Sequence, residues 1–384
     1  MTTADKPLAG VRVLELARIL AGPWIGQTLA DLGADVLKVE SPEGDDTRRW
    51  GPPFIDNGDG TSDAAYFHAC NRGKRSITAD FGDADDLARV KRLAAAADVV
   101  VENFKVGGLA KFGLDYASLS KDNPRLVYCS VTGFGQDGPY ASRAGYDFIV
   151  QGMSGVMDLT GDPAGEPQKI GVAFADIFTG LYGVVAVLAA LRQRDATGRG
   201  SHVDMALFDC MVGVLANQAL NFLVSGEAPR RLGNAHPNIA PYAAFPTSDG
   251  WFILAVGNDG QFRKFAAAAG DMGLADDPRF ATNPSRVAHR AALSERVAAL
   301  TRRFTRAEIL ALCEREGVPA GPINTVADAF ADPQIRAREM AVLLPREGAP
   351  PAPGVRLPIR MTGADLSPTV AAPGLGANQD EFWR

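Results

Sequence analysis

"VRVLELARILAGPWIGQTLADLGADVLKVE", Val11–Glu40, is the stretch whose reading decides the fold. "VRVLELA" (Val11–Ala17) and "GADVLKVE" (Gly33–Glu40) are short apolar runs rich in branched residues. Between them "GPWIGQTLADLG" (Gly22–Gly33) reads as a helix ending on glycine. Strand, helix, strand at this spacing is a βαβ unit, and a crossover helix of that length joins parallel strands. The alternation continues outward. "KRSITADF" (Lys74–Phe81) reads as a strand, "DADDLARVKRLAAAA" (Asp83–Ala97) as a helix, and "DVVVENF" (Asp98–Phe104) and "PRLVYCSVTGFG" (Pro124–Gly135) as strands. "SHVDMALFDCMVGVLANQAL" (Ser201–Leu220) restores a strand followed by a helix. The expectation is an α/β, Rossmann-like domain. A dinucleotide is not indicated, because "RILAGPW" follows the first strand where a GxGxxG turn would stand.

After Val224 the character changes. "GEAPRRLGNAHPNIAP" (Gly226–Pro241) is turn-rich, and "YAAFPTSDGWFILAVG" (Tyr242–Gly257) reads as a hairpin about Ser248–Asp249–Gly250. Helical patterns follow from Asp259 to Gly270 and from Ala291 to Glu316. The reading is a large domain from residues 1–224 and 331–384 and a small α+β domain from 225–330, with the Pro-rich tail after Glu347 returning as extended strands to the first. A chain of 384 residues suits two such domains.

Composition narrows the function classes. With 46% hydrophobic and 22% charged residues the chain reads as globular, and a net charge of −6 argues against a nucleic-acid partner. Cys70, Cys129, Cys210 and Cys313 are scattered without metal-type spacing, which suits reduced thiols in the cytoplasm. No metal site is expected among the histidines, and the polar opening "MTTADKPLAG" has no apolar leader run.

Three stretches could carry chemistry. In "KIGVAFADIFTGLYGVVAVLAAL" (Lys169–Leu191) one acid, Asp176, stands in an apolar setting. Despite its length this run reads as a buried core helix, not a membrane span. Burying a carboxylate is costly unless it is paired, bonded or neutralised. Asp176 could cap the helix, meet an arginine or lysine, face a wet crevice, or serve as a covalent nucleophile beside the small residues Ala175, Thr179 and Gly180. "VTGFGQDGPYASRAGYDFIVQG" (Val131–Gly152) runs from a strand through a glycine-rich loop, whose amides could hold phosphate or an oxyanion or simply make the turn. "VENFKVGGLAKFGLD" (Val101–Asp115) sets an asparagine, an aromatic ring and two lysines just after a strand, where open α/β sheets bind ligands.

Taken in order, these stretches resemble the class III coenzyme A transferases of the CaiB/BaiF type, which include formyl-CoA transferase and the carnitine CoA-transferases. The shared pattern opens at "LAGVRVLELARILAGPWIGQTLADLGADVLKVESPEGDDTRRWGPP". It continues through "ACNRGKRSITADF", "ADVVVENFKVGGLAKFGLDY", "VTGFGQDGPYASRAGYD", "GVAFADIFTGLYG" and "GVPAGPINT", covering nearly the whole chain. The resemblance implies Asp176 as nucleophile. It implies CoA contacts at Leu20, Ala21, Ala79, Asp80, Phe81, Asn103, Phe104, Lys105, Lys111, Tyr146 and Asp147. It further implies a homodimer of interlocked ring-shaped chains, with CoA thioesters as substrates and no permanently bound cofactor.

Formyl-CoA transferase has glutamine where Leu20 stands, a basic residue at Ser41, and a tetraglycine loop in place of "LGNAHPNIAPY" (Leu232–Tyr242). That loop resembles the succinyl-CoA:glutarate type, so dicarboxylic acids are the expected acceptors. Arg143, Lys169, Arg231, Gly233, Asn234 and His236 are candidates to meet the distal carboxylate. The sister 2-methylacyl-CoA racemases carry "GHD" where this chain has "GYD", and a phenol with a pKa of about 10 is a poor base. That activity, and a CoA-binding protein without turnover, are the alternatives.

Overall fold

The structure, a computed structural model, describes residues 6–379. Half of the polar opening "MTTADKPLAG" (residues 1–5) and the last five residues of the expected large domain therefore lie outside the described residues. The described chain divides into two compact units. The first comprises residues up to Val156, Lys169–Gly226 and the chain from Pro333 onward, and the second comprises Met157–Gln168 and Glu227–Asp332. Nothing in the sequence marks Met157–Gln168 as part of the second unit.

The first unit opens with β1 (Arg12–Glu15), α1 (Ala21–Asp31) and β2 (Asp35–Glu40). A small antiparallel pair, β3 (Phe54–Asp56) and β4 (Ser62–Ala64), and α2 (Ala65–Ala69) lead to β5 (Arg75–Thr78). Next come α3 (Ala84–Ala96), β6 (Val99–Glu102), α4 (Tyr116–Asp122) and β7 (Val127–Thr132). Helices α5 (Asp147–Met153), α6 (Val156–Leu159), which from Met157 on belongs to the second unit, and α7 (Phe174–Thr197) precede β8 (Ser201–Ala206), α8 (Leu207–Gly213) and α9 (Ala216–Ser225). The single helix read after the last strand is thus two helices. They bend by 74° about a break at which Ala216 takes a φ of 48°.

Six strands form one parallel sheet in the order β5-β2-β1-β6-β7-β8. Numbered within the sheet this is 3-2-1-4-5-6, the doubly wound order. The order reverses between β1 and β6, and a crevice opens there beyond the carboxyl ends of both strands. Alternation along each strand separates two apolar layers. Val13, Val99, Val101 and Cys129 face α1, α7 and α8, while Leu14, Val100, Tyr128 and Leu37 join the core on the α3 and α4 side. Each fully buried aliphatic side chain contributes about 1.5–3 kcal/mol.

α7 is long and apolar enough to cross a membrane by length and composition. Here it packs on α1, α5, α8, β7 and β8. Two glycines let α1 approach it: a Cβ on Gly180 would lie 3.0 Å from Trp24, and one on Gly183 would lie 2.4 Å from Ile25.

The second unit carries β9 (Tyr242–Pro246) and β10 (Trp251–Ala255) as the antiparallel hairpin read from sequence, closed by Thr247 N–H donating to Gly250 O. α10 (Asp259–Ala268), α11 (Met272–Asp276) and α12 (Asn283–Ala288) follow. The pattern from Ala291 to Glu316 is broken into α13 (Arg290–Thr301) and α14 (Arg306–Glu316), because Thr305 and Glu308 form a capping box that starts a new helix. β11 (Ala320–Pro322) adds a third strand, and α15 (Val326–Ala331) ends the unit. Back in the first unit, α16 (Pro333–Ala337) precedes the hairpin of β12 (Ala341–Arg346) and β13 (Ala349–Val355).

Candidate active site

The site is built on a buried ionic cluster that the apolar reading of the strands passed over. Glu15, Lys38, Glu40 and Asp45 are each less than 5% exposed, as is Lys74. Lys38 Nζ lies 3.2 Å from Glu15 and 3.0 Å from Asp45, and donates to Ala17 O at 2.7 Å. Lys74 Nζ lies 2.7 Å from Glu15 and donates to Asn71 Oδ1 and Pro23 O. Burial works against the Lys38 charge, but Glu15, Asp45 and Glu40 outweigh it and raise its pKa. Such a cluster adds little net stability, yet removing one member strands the other charges.

Its product is a fixed loop after β1. Asp45 accepts the Ile19 N–H at 3.2 Å, and Ile19 has a φ of 72°, a left-handed conformation that a β-branched residue adopts only under constraint. Asn103 clips the same loop across the switch point. Its Oδ1 accepts Arg18 N–H at 3.0 Å, and its Nδ2 donates to Arg18 O at 2.6 Å. The Asn103 amide is thereby committed to joining the loops after β1 and β6.

A cavity of ≈ 700 Å³ opens at this crevice. Of the residues singled out in the sequence it brings together Ala21, Asn103, Phe104, Lys105, Lys111, Arg143, Tyr146, Asp147 and Asp176. A neighbouring cavity of ≈ 460 Å³ takes Ala79, Asp80 and Phe81. Arg18, Phe104 and Phe112 line both. Phe81 stacks against Phe104 at 6.2 Å and meets Phe112 edge-on at 5.5 Å. Leu20 lines neither cavity; it is buried at the residue before α1, and its carbonyl accepts Trp24 N–H.

Asp176 is the third residue of α7, but it is not the cap. Asp147 does that work from another helix, its Oδ1 accepting Ala175 N–H at 2.8 Å while Oδ2 accepts Gln151 Nε2–H at 2.7 Å. Among the described residues no lysine or arginine acts on Asp176. Burial first, and then the Asp147 charge, push its carboxyl up to about 7, with the Ala21 N–H pulling the other way. Of the readings open in the sequence, capping and ion pairing do not fit; the acid lines the cavity.

Tyr66, on α2, was not singled out by sequence. Burial, and then the charge of Asp176, raise its phenol to about 12, so it stands within electrostatic reach of the acid. Trp50 packs edge-on against Tyr66 at 5.4 Å and lines the cavity. Their only sequence signal is an aromatic residue on each side of the β3–β4 turn.

Among the described residues Lys105 and Lys111 form no ion pair, and the Arg143 guanidinium lies 3.9 Å over the Tyr140 ring without an acidic partner. The cavity is therefore rimmed by cations in a chain of net charge −6. Lys169 is exposed and outside the cavity lining. Arg231, Gly233, Asn234 and His236 belong to the second unit. There Arg290 holds the loop through the carbonyls of His236, Pro237 and Ile239, and the Nε and Nη1 of Arg231 are buried without a hydrogen-bond partner. Burial, and then the Arg290 charge, lower the pKa of His236.

A succinate–glutarate CoA-transferase of Agrobacterium fabrum is 56% identical over 381 residues, covering 99% of this chain and 95% of the relative. The human succinyl-CoA:glutarate CoA-transferase is 42% identical over 334 residues, covering 86% of this chain and 74% of the relative. The crystal structure of a CaiB/BaiF family protein from Brucella suis superposes with a TM-score of 0.87 at 62% identity, over 97% of each chain. The model of CoA-transferase family III matches residues 8–379, and the chain belongs to that family of transferases.

Proposed function

We propose that the protein moves CoA from succinyl-CoA to a second dicarboxylic acid such as glutarate, with Asp176 as the covalent nucleophile. The observation that carries this reading is an unpaired acid, raised to about 7, lining a cation-rimmed cavity. The relatives above, named for succinate and glutarate, supply the substrate class. In the first step an Asp176 oxygen attacks the thioester carbonyl, the C–S bond breaks, and CoA thiolate leaves a mixed anhydride. The thiolate then attacks the aspartyl carbonyl, releasing succinate and leaving an aspartyl-CoA thioester. The acceptor carboxylate attacks that thioester and expels the thiolate, giving a second anhydride. Attack of the thiolate on its acyl carbonyl yields the new acyl-CoA and restores Asp176. No thioester energy is lost to water provided the anhydrides stay dry, which the apolar wall about Asp176 favours.

Lys105 and Lys111 are read as the partners of the CoA phosphates, and Arg143 as the partner of the distal carboxylate, since none has an acidic neighbour to satisfy it. The second unit is read as a domain inserted in the first, and the assembly as an interlocked homodimer in the cytoplasm. What supports the dimer is apolar surface left uncovered on α7 and α9, where Val185 is 63% and Val224 83% exposed. Asp176→Ala should lower the rate of glutaryl-CoA formation from succinyl-CoA and glutarate more than about 1,000-fold while leaving CoA affinity within about threefold. Full activity in that variant would remove the mechanism. Arg143→Ala should raise KM about tenfold for a dicarboxylate acceptor and leave KM for a monocarboxylate unchanged. An equal rise for both would take the distal carboxylate away from Arg143.

A further inference from the structure

Behind the 103–112 loop lies a second set of buried titratable groups that the transfer chemistry does not use. Glu102 is the last residue of β6 and is 6% exposed. The parallel register sets it beside Ser130 of β7, Ser130 beside Asp204 of β8, and Tyr128 beside His202. Alternation of side chains puts this polar row on the α3 and α4 side of the sheet. Glu102 Oε2 accepts the Phe104 N–H at 2.8 Å, so the carboxyl grips the loop at its root. Ser130 Oγ bonds the Glu102 carboxyl and lies 2.9 Å from His202 Nε2.

A cavity of ≈ 50 Å³ separates this row from the loop. Lys105, Val106 and Gly108 line both it and the ≈ 700 Å³ cavity of Asp176, so the loop is a shared wall. Lys105, Asp115 and Tyr116 face the small cavity from the loop and the start of α4, and Tyr128 and His202 face it from the sheet. Asp204 acts on Glu102 from β8.

We propose that Glu102 is a positioning residue for the 103–112 loop, and that the proton carried by the Glu102–Ser130–His202 chain sets how tightly the loop holds the anionic end of an acyl-CoA. This rests on reading the larger cavity as the CoA site. With Glu102 neutral, its hydroxyl donates to Ser130, whose own proton goes to His202 Nε2. When Glu102 loses its proton to solvent the chain reverses: the ring proton sits on Nε2 and donates to Ser130, which donates to the carboxylate. A negative charge then stands at the root of the loop, on the small cavity that Lys105 also lines, opposing the phosphates that the loop would hold. Burial lifts the Glu102 carboxyl to about 7 against the pull of Ser130 and the Phe104 N–H, with Asp204 adding to the rise, so the reversal falls near neutral pH. Burial also lowers the pKa of His202, against the pull of Asp204, which keeps the ring neutral there.

The test is calorimetric titration of CoA into the full chain between pH 6 and pH 8. The wild-type Kd should rise about three- to tenfold more than that of Glu102→Gln, which keeps an acceptor for Phe104 but cannot ionise. Titration of the CoA phosphates is common to both proteins and cancels. Ser130→Ala, which keeps the acid and removes the hydroxyl that favours its ionised form, should move the midpoint to higher pH and decides the matter if the glutamine variant fails to fold. Identical pH profiles for wild type and Glu102→Gln, or an unmoved midpoint in Ser130→Ala, overturn the inference alone. Absence of any CoA binding by the wild type overturns the reading of the cavity and the inference with it.

Discussion

The role proposed for Asp176, attack on a thioester, needs an ionised carboxyl, yet Asp176 sits where ionisation is resisted. Burial and the neighbouring Asp147 charge raise its pKa from the ordinary 3.8 to about 7. The sign of the consequence for stability follows from linkage. Between the unfolded and folded values the folded chain holds a proton that the unfolded chain has lost, so stability falls as pH rises from about 4 to about 7. Asp176→Asn should therefore be more stable than wild type at pH 8, by about 1–2 kcal/mol after allowing for water in the cavity, and the gap should narrow towards pH 5. Urea unfolding of both proteins at the two pH values measures this. A gap that is constant with pH would mean that the carboxyl is not perturbed. At saturating acyl-CoA, turnover of the wild type should fall as pH drops below about 7, because the protonated acid is no nucleophile.

At the scale of elements, the α1–α7 contact carries the site. Ala21, the first residue of α1, supplies the N–H that bonds Asp176 near the start of α7. A Cβ on Gly180 would meet Trp24 at 3.0 Å and the Ala21 carbonyl at 3.1 Å. In an open helix Gly→Ala stabilises by up to about 1 kcal/mol, but here Gly180→Val should destabilise by about 1–3 kcal/mol and cost at least about tenfold in turnover as α1 is pushed off. Thermal unfolding and turnover measured together check it; a variant as active and stable as wild type would separate this contact from the chemistry. These helices and strands were legible because their signals are local: the apolar runs of Val11–Ala17 and Gly33–Glu40 and the glycine after the helix lie within one window. The break between α13 and α14 escaped because Thr305 and Glu308 cap a new helix inside a continuous helical pattern. Glu15, Lys38 and Lys74 read as incidental charges on apolar strands, since their pairing spans 23 and 59 residues. Tyr66 escaped for the same reason, its tie to Asp176 being made only by folding.

The whole molecule places Asp176 at the switch point of a doubly wound sheet, where β1 and β6 send their loops in opposite directions. Asn103 ties the two loops together, Asp45 and the buried lysines hold the strained Ile19, and the cavity beside them joins Asp176 to a rim of cations. The family follows from the whole chain, whereas the roles assigned to Asp176 and Arg143 rest on this geometry and on the relatives' chemistry. Intact-protein mass after incubation with succinyl-CoA, with and without borohydride and followed by peptide mapping, tests the assignment most directly. A CoA-sized adduct that borohydride removes is expected on the peptide holding Asp176, with no adduct on Asp176→Ala. Transfer of CoA to glutarate with no adduct at any time, or with an adduct on another residue, would contradict it.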